Sequence, residues 1–306
     1  MFKTIKINRE KVKPITVSQF DSSKVKGANL FPEPYSNIFL LAKKKSGKTS
    51  VINKIVQKCT DKNTKFVIFC STVHRDATWK HITKYLKDRG NDVQLYTSIK
   101  EEGQDMLADI LKELKEKSQQ EALEQEKEAE KQDEQPVERP DLEHIKIYDS
   151  ENEEEPNENK KPRKPKKLSC EMMFILDDLG ESTRASSVAE LITTNRHYKA
   201  KVVISAQYPN FILPNVIKNL DYLLIFGKNK IDKIKYIHAQ VDMSISFPTL
   251  VKLYKDATAQ KYNFLWVETA SENMRKNFNE QYDVDDQEDD ESVSKDRKYL
   301  IDNDIL

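Results

Sequence analysis

Nine consecutive residues, Ala42–Ser50 (AKKKSGKTS), have the types and spacing to hold a polyphosphate. They follow the pattern G-x-x-x-x-G-K-[ST], with Ala42 at the first glycine position and Gly47, Lys48 and Thr49 completing it. In such a loop successive backbone N–H groups turn inward at the anion, and the helix that follows adds the partial positive charge of its N-terminus. Gly47 lets the backbone come close. Lys48 bridges the β- and γ-phosphates, and Thr49 places a hydroxyl on Mg²⁺. Lys43, Lys44, Lys45, Ser46 and Ser50 fill out the candidate nucleotide-binding stretch, the three lysines facing nucleotide or solvent. An alanine at position 42 costs little where the turn needs no positive φ. The plainer alternative is a lysine-rich turn between a strand and a helix.

Two further segments end apolar runs in polar residues. Phe174–Asp178 (FILDD) places two carboxylates at a strand's carboxyl end, where ligands bind in parallel sheets. Asp177 there suits Mg²⁺, directly or through water, and Asp178 suits orienting or deprotonating an attacking water. Taken alone, the pair also fits a solvated strand-end turn. Val202–Gln207 (VVISAQ) ends in an amide. Gln207 would sense the γ-phosphate or hold the water, its alternative being an amide that bonds a loop. Arg196, in Asn195–Tyr198 (NRHY), is a candidate arginine finger acting in trans, or else a structural or DNA-facing arginine. Arg184 is a weaker candidate for that role, and His197 reads as a packed or polar neighbour.

Positioning these groups requires alternating strands and helices. Short apolar runs at Ser36–Ala42, Lys65–Ser71, Met172–Leu176, Ala200–Ala206, Tyr222–Phe226 and Tyr262–Val267 read as buried strands, with a weaker one at Val93–Tyr96. Helical spacing marks Gly47–Cys59, Ala77–Lys87, Gln104–Leu114, Ser182–Arg196, Lys230–Gln240 and Phe247–Lys255. Trp79 and Trp266 read as core. This alternation predicts an α/β fold with a mainly parallel sheet and helices on both faces.

Composition divides the 306 residues further. Charged residues make up 33% against 37% hydrophobic, so part of the chain is too polar to pack. The net charge of zero is partitioned: +13 over residues 1–98, −8 over 99–170, +2 over 171–282 and −7 over 283–306. A basic body with acidic appendages is compatible with nucleic acid, and equally with simple solubility. The expected organisation is a basic arm (1–35) with a short strand near Phe2–Ile7, a first core part (36–118), a charged insert (119–168), a second core part (169–282) and an acidic tail (283–306). The first half of the insert reads as a solvated helix. Its Lys160–Lys167 run (KKPRKPKK) suits a nuclear localisation signal, a DNA tether or charge balance. No apolar run reaches the roughly 18 residues of a membrane span, and the N-terminus lacks a secretory h-region. Cys59, Cys70 and Cys170 have no ligand spacing, which argues against a disulfide scaffold or cysteine zinc site and for a reducing compartment.

Taken in order, AKKKSGKTS, FILDD and NRHYKAKVVISAQYPNFI resemble the FtsK–HerA superfamily of P-loop motor ATPases. Within it they most resemble the genome-packaging ATPases of large eukaryotic DNA viruses, including the poxvirus type, and of virophages. The resemblance covers about 36–98 and 171–270 and departs at Ala42 and at the long insert. It implies a RecA-like core that uses ATP and Mg²⁺, with the roles above falling on Lys48, Thr49, Asp177, Asp178, Gln207 and Arg196. It further implies a ring oligomer, often a hexamer, that moves double-stranded DNA through its pore into a preformed capsid. A capsid or portal-site protein is then a partner. The expected location is intracellular, in the host cytoplasm, virus factory or nucleus, or with the virion. Alternatives are a helicase or AAA-type motor, a P-loop nucleoside or nucleotide kinase, and a nucleotide-binding scaffold that no longer hydrolyses ATP. The sparse arginine disfavours the kinase and its arginine-rich lid.

Overall fold

The computed structural model describes residues 21–133 and 167–283. The expected strand near residues 2–7, the second half of the charged insert and the acidic run beyond residue 283 lie outside them. In chain order the first elements are β1 (Asn37–Leu41), α1 (Lys48–Cys59), β2 (Lys65–Cys70), α2 (Ala77–Asp88) and β3 (Val93–Tyr96). A small hairpin follows, β4 (Lys100–Glu101) and β5 (Gln104–Asp105), and then the long helix α3 (Met106–Asp133). After the insert come β6 (Met172–Asp177), α4 (Ser186–Thr194), β7 (Ala200–Ala206), α5 (Pro214–Lys218) and β8 (Tyr222–Phe226). The last elements are α6 (Ile231–Val241), α7 (Phe247–Ala257), β9 (Phe264–Glu268), β10 (Met274–Lys276) and β11 (Glu280–Gln281).

Nine strands form one sheet in the order β11-β10-β9-β8-β1-β7-β6-β2-β3. The block from β8 to β3 is parallel throughout. β9, β10 and β11 add an antiparallel edge. Within β1 the pleat sends Ile38 and Leu40 to one face and Phe39 and Leu41 to the other, and both faces are buried. α1 and α2 cover the first face through Ile52, Ile55, Trp79 and Ile82. α3 to α7 cover the second through Leu107, Leu191, Ile217, Ile234 and Leu250. The fold is the α/β arrangement of a mainly parallel sheet with helices on both faces that the alternation of runs predicts, and it agrees with the RecA-like P-loop core that the resemblance implies.

Several boundaries differ from expectation for local reasons. Gly47 sits at φ 93 and so precedes α1 rather than starting it. The helix expected from Gln104 starts at Met106, because Gln104 and Asp105 pair with the preceding strand and Asp105 accepts from the Ala108 N–H at 3.0 Å. α3 then crosses position 118, where the composition changes, without interruption. The expected helix at 182–196 is split. Thr183 ties a 3₁₀ turn (Gly180–Arg184) by donating to the Gly180 and Phe211 carbonyls, and Ala185 is extended before α4. The last predicted strand starts at Phe264, since Tyr262 has φ 72.

Part of the basic arm belongs to the core. Leu30 and Phe31 are fully buried, and the Phe31 ring packs 4.9 Å from Tyr222 and 5.8 Å from Phe278. Lys201 of β7 stitches this segment down. Its ammonium is buried, donates to the Glu33 carbonyl at 2.8 Å and the Ser36 hydroxyl at 2.6 Å, and lies 5.4 Å from the Phe31 ring centroid. All three cysteines are free and buried as well.

Burial pushes the Lys201 ammonium below the ordinary lysine value. The unfolded chain therefore holds this proton to higher pH than the folded one, and stability from this site rises with pH up to about 10.4. Lys201→Ala is expected to destabilise the protein by about 3 kcal/mol, since it leaves a cavity and two orphaned oxygens. The gap between wild type and variant should widen as pH rises from 7 towards 10 in urea titrations.

Candidate phosphate-binding site

The parallel register decides which side chains meet. Cys70 lies opposite Asp177, Asp177 opposite Ser205, and Ser205 opposite Leu40. These positions form one row across β2, β6, β7 and β1 near the strands' carboxyl ends. Lys48, the first residue of α1, reaches back into this row. Its ammonium lies 3.1 Å from Asp177 Oδ1, 3.4 Å from Asp178 Oδ2 and 3.4 Å from the Ser205 hydroxyl.

The two carboxylates occupy different surroundings. Asp177 is 3% exposed. Its Oδ1 accepts from Ser205 Oγ as well as facing Lys48, and its Oδ2 accepts from the Trp79 indole N–H at 2.8 Å. The Cys70 thiol lies 3.9 Å from the same oxygen, and burial pushes that thiol's pKa up. Asp178 faces the cleft, with its side chain 29% exposed. It turns outward at φ 52, and its N–H donates to the Ser205 carbonyl at 3.1 Å. The Gln207 amide donates to both Asp178 oxygens at 3.0 Å each. Lys233 of α6 holds that glutamine from behind, donating to its carbonyl at 2.6 Å while lying 3.6 Å from the Tyr208 ring centroid. Burial, then Lys43 and Lys230 nearby, lower the Lys233 pKa.

The loop has the chemistry of an anion cradle. No side chain caps α1 at Gly47, so the first N–H groups of the helix are not met by a local acceptor. Lys45 at φ 62 and Gly47 at φ 93 give the loop left-handed turns, the kind of backbone from which anion-binding concavities are built. Ala42 is not among the positive-φ residues; it is fully buried and its N–H donates to the Ala206 carbonyl at 3.0 Å. The first position of the motif therefore needs no glycine here. The Ser46 hydroxyl is buried without a hydrogen-bond partner among the described residues, which suits a group that accepts or donates from the loop. Lys44, Lys45, Lys48, Thr49 and Ser50 line a cleft of about 440 Å³ with Asp177 and Asp178, and Lys43 and Ser46 lie on the neighbouring rim. Among the described residues no cluster of three His, Cys, Asp or Glu side chains could hold a metal. A divalent ion here would need phosphate oxygens to complete its shell, which fits one hydroxyl and one acid as protein groups.

Arg196 is not brought to this cleft. It sits before β7, at the amino end of the sheet, 3.0 Å from Asp221 and 3.4 Å from Glu33. Asp221 also accepts from the Asn37 N–H, at the opposite end of β1 from the loop. The length of β1, at about 3.3 Å per residue, separates Arg196 from its own chain's cleft by roughly 15 Å. Arg184 lies just beyond Asp178, at the cleft end of the sheet, and donates to the Asn210 carbonyl at 3.0 Å. Trp79, read as core from helical spacing, is core and also a partner of Asp177. Lys233 and Ser205 carry no recognisable signal beyond Ser205 standing two residues before Gln207.

No protein-family model matches the chain, and no curated protein matches it in sequence. Solved structures do match in shape. The genome-packaging NTPase B204 of Sulfolobus turreted icosahedral virus 2, in complex with sulfate, is 14% identical over 79% of this chain and 96% of its own, with a TM-score of 0.43. The DNA-packaging ATPase B204 from Sulfolobus turreted icosahedral virus is also 14% identical, over 79% of this chain and 96% of its own, with a TM-score of 0.46. ATPases 2 and 3 of EssC from Geobacillus thermodenitrificans are 11% identical over 87% of this chain and 43% of theirs, with a TM-score of 0.43. Likeness at this level transfers no function, and the assignment of the site rests on its own residues.

Trp79→Phe keeps an aromatic ring but removes the indole N–H donor to Asp177 and part of the buried indole's volume. A buried hydrogen bond to a charged group is worth about 2 kcal/mol, and with the cavity added the variant should lose about 3 kcal/mol of stability in urea titration. Its helix content by circular dichroism should be unchanged.

Proposed function

We propose that the chain is a P-loop ATPase that moves double-stranded DNA, and that the DNA is a viral genome packaged into a preformed capsid. The observation that carries the ATPase reading is the meeting of Lys48, Asp177, Asp178 and Gln207 beside an uncapped, left-handed phosphate loop. The order and content of the three sequence segments support the motor reading. The basic character of residues 1–98 supports a polyanionic partner.

ATP would lie with its phosphates in the Ala42–Ser50 loop, and Mg²⁺ would neutralise phosphate charge there. Thr49 would supply a hydroxyl to the metal. Asp177, whose oxygens already accept from Ser205 and Trp79, would hold it in place, directly or through water. Lys48 stabilises charge on the transferring phosphoryl group, and its two carboxylate partners keep it aimed into the cleft. Asp178 holds the attacking water and takes its proton. Gln207, bonded to both oxygens of Asp178, reports the state of that water to the segment behind it. Arg196, distant from its own cleft, serves a neighbouring subunit's phosphate in a homo-oligomeric ring. A capsid or portal-site protein would hold that ring at the vertex of an assembling virion inside the host cell.

Purified protein should hydrolyse ATP faster with long double-stranded DNA, and the stimulation should fall steeply with salt. Lys48→Ala and Asp178→Asn should each lower turnover by about 100-fold or more. Turnover indifferent to DNA in wild type would overturn the motor reading and leave the ATPase. Arg196→Ala subunits should be inactive alone, yet regain part of their turnover when mixed with Lys48→Ala subunits. Absence of such complementation removes Arg196 from the site.

A further inference from the structure

A second cavity, of about 920 Å³, adjoins the phosphate cleft and shares Lys44, Lys45 and Gly47 with it. Its other walls are the loop after β8, Gly227–Lys228, and the turn between α7 and β9, Thr258–Asn263. The two walls are clasped together: a Cβ on Gly227 would come 3.3 Å from Thr258 Cβ. The volume is within the range of small-ligand sites. It lies beside β8 and β9, whereas the acids stand beside β6 and β7 on the other side of β1. A nucleotide with its phosphates between the loop and the acids has this cavity open to its remaining half.

Tyr262 lines the cavity and is not a core side chain. It is 56% exposed, yet its backbone is held at φ 72, a conformation bulky side chains avoid. The ring lies against the phosphate loop itself: a Cβ on Gly47 would sit 3.2 Å from Tyr262 Cδ1. The exposed Lys261 ammonium lies 4.6 Å from the ring centroid, so the ring already attracts a cation to its π-surface. Lys228, on the facing wall, is also left-handed at φ 68. Left-handed non-glycine backbone thus stands on both walls of this one cavity.

We infer that this cavity takes the nucleoside half of the nucleotide and that Tyr262 is the platform on which its base stacks. The inference rests on the phosphate-site reading above and deepens it. Stacking uses the ring face, and a purine offers more face than a pyrimidine, so Tyr262 sets a purine preference. Lys261 is displaced from the ring as the base arrives and remains free to swing towards solvent.

The test is competition binding to the full chain by ATP, UTP and inorganic tripolyphosphate, against a fluorescent nucleotide. Tyr262→Leu keeps apolar bulk against Gly47 and removes the π-face, while Tyr262→Phe keeps the face. Tyr262→Leu should weaken ATP about tenfold, leave tripolyphosphate unchanged and shrink the preference for ATP over UTP. Tyr262→Phe should match wild type. Lys48→Ala should weaken all three ligands. If Lys48→Ala does so but Tyr262→Leu weakens ATP and tripolyphosphate alike, or neither, the stacking platform is wrong and the phosphate site stands. If Lys48→Ala leaves tripolyphosphate binding intact, the phosphate site is wrong and the base site falls with it.

Discussion

Asp177 is a carboxylate in the protein interior, and a lone ionised carboxylate is too costly to bury without partners. Its partners come from four elements: Lys48 from α1, Trp79 from α2, Ser205 from β7 and Cys70 from β2. Each element is tied to the same point, so a shift of any one of them strips a partner from a buried oxygen. The parallel register places that point in the row where β6 ends. The chain then turns outward at Asp178, which puts the second acid in the cleft. One satisfied burial thus fixes both the depth of the inner acid and the exposure of the outer one.

Much of this was legible in the sequence because it is written in local signals. Strands buried on both faces appear as unbroken apolar runs, and the phosphate loop announces itself by glycine, lysine and threonine at fixed spacing. The juxtaposition of FILDD with VVISAQ was readable only as two strand ends; their register, which pairs Asp177 with Ser205, is a property of the sheet. Trp79 shows why helical periodicity misleads. An indole satisfies the apolar spacing of α2 and still carries a donor, and nothing in the spacing says where its N–H points. The antiparallel edge strands β10 and β11 are too short and polar to give a pattern. Arg196 is conspicuous in sequence beside His197, but its pairing with Asp221 and Glu33 depends on chain segments that meet only in the fold.

Backbone strain reaches the site as well as outlying turns. Lys45, Asp178, Lys228 and Tyr262 all hold left-handed conformations around the two adjoining cavities. Such residues cost of order 1–3 kcal/mol each and persist only where their surroundings over-determine them. The surroundings here are a six-strand parallel block whose inner strands are buried on both faces, with Lys201 fastening the segment that leads into β1. The rigid sheet and the strained rim are two aspects of one design: the interior supplies stability, and the loops at its carboxyl edge spend some of it on shape.

The three cysteines have a practical consequence. Cys59, Cys70 and Cys170 are the only thiols in the chain, and all are buried. Burial raises the pKa of each, that of Cys170 to about 12, so little thiolate is present at neutral pH. A maleimide added to the folded protein therefore meets no ready nucleophile. A single cysteine introduced on the surface can be labelled selectively with the native thiols left in place. The rate at which the native three react reads out how often the sheet opens.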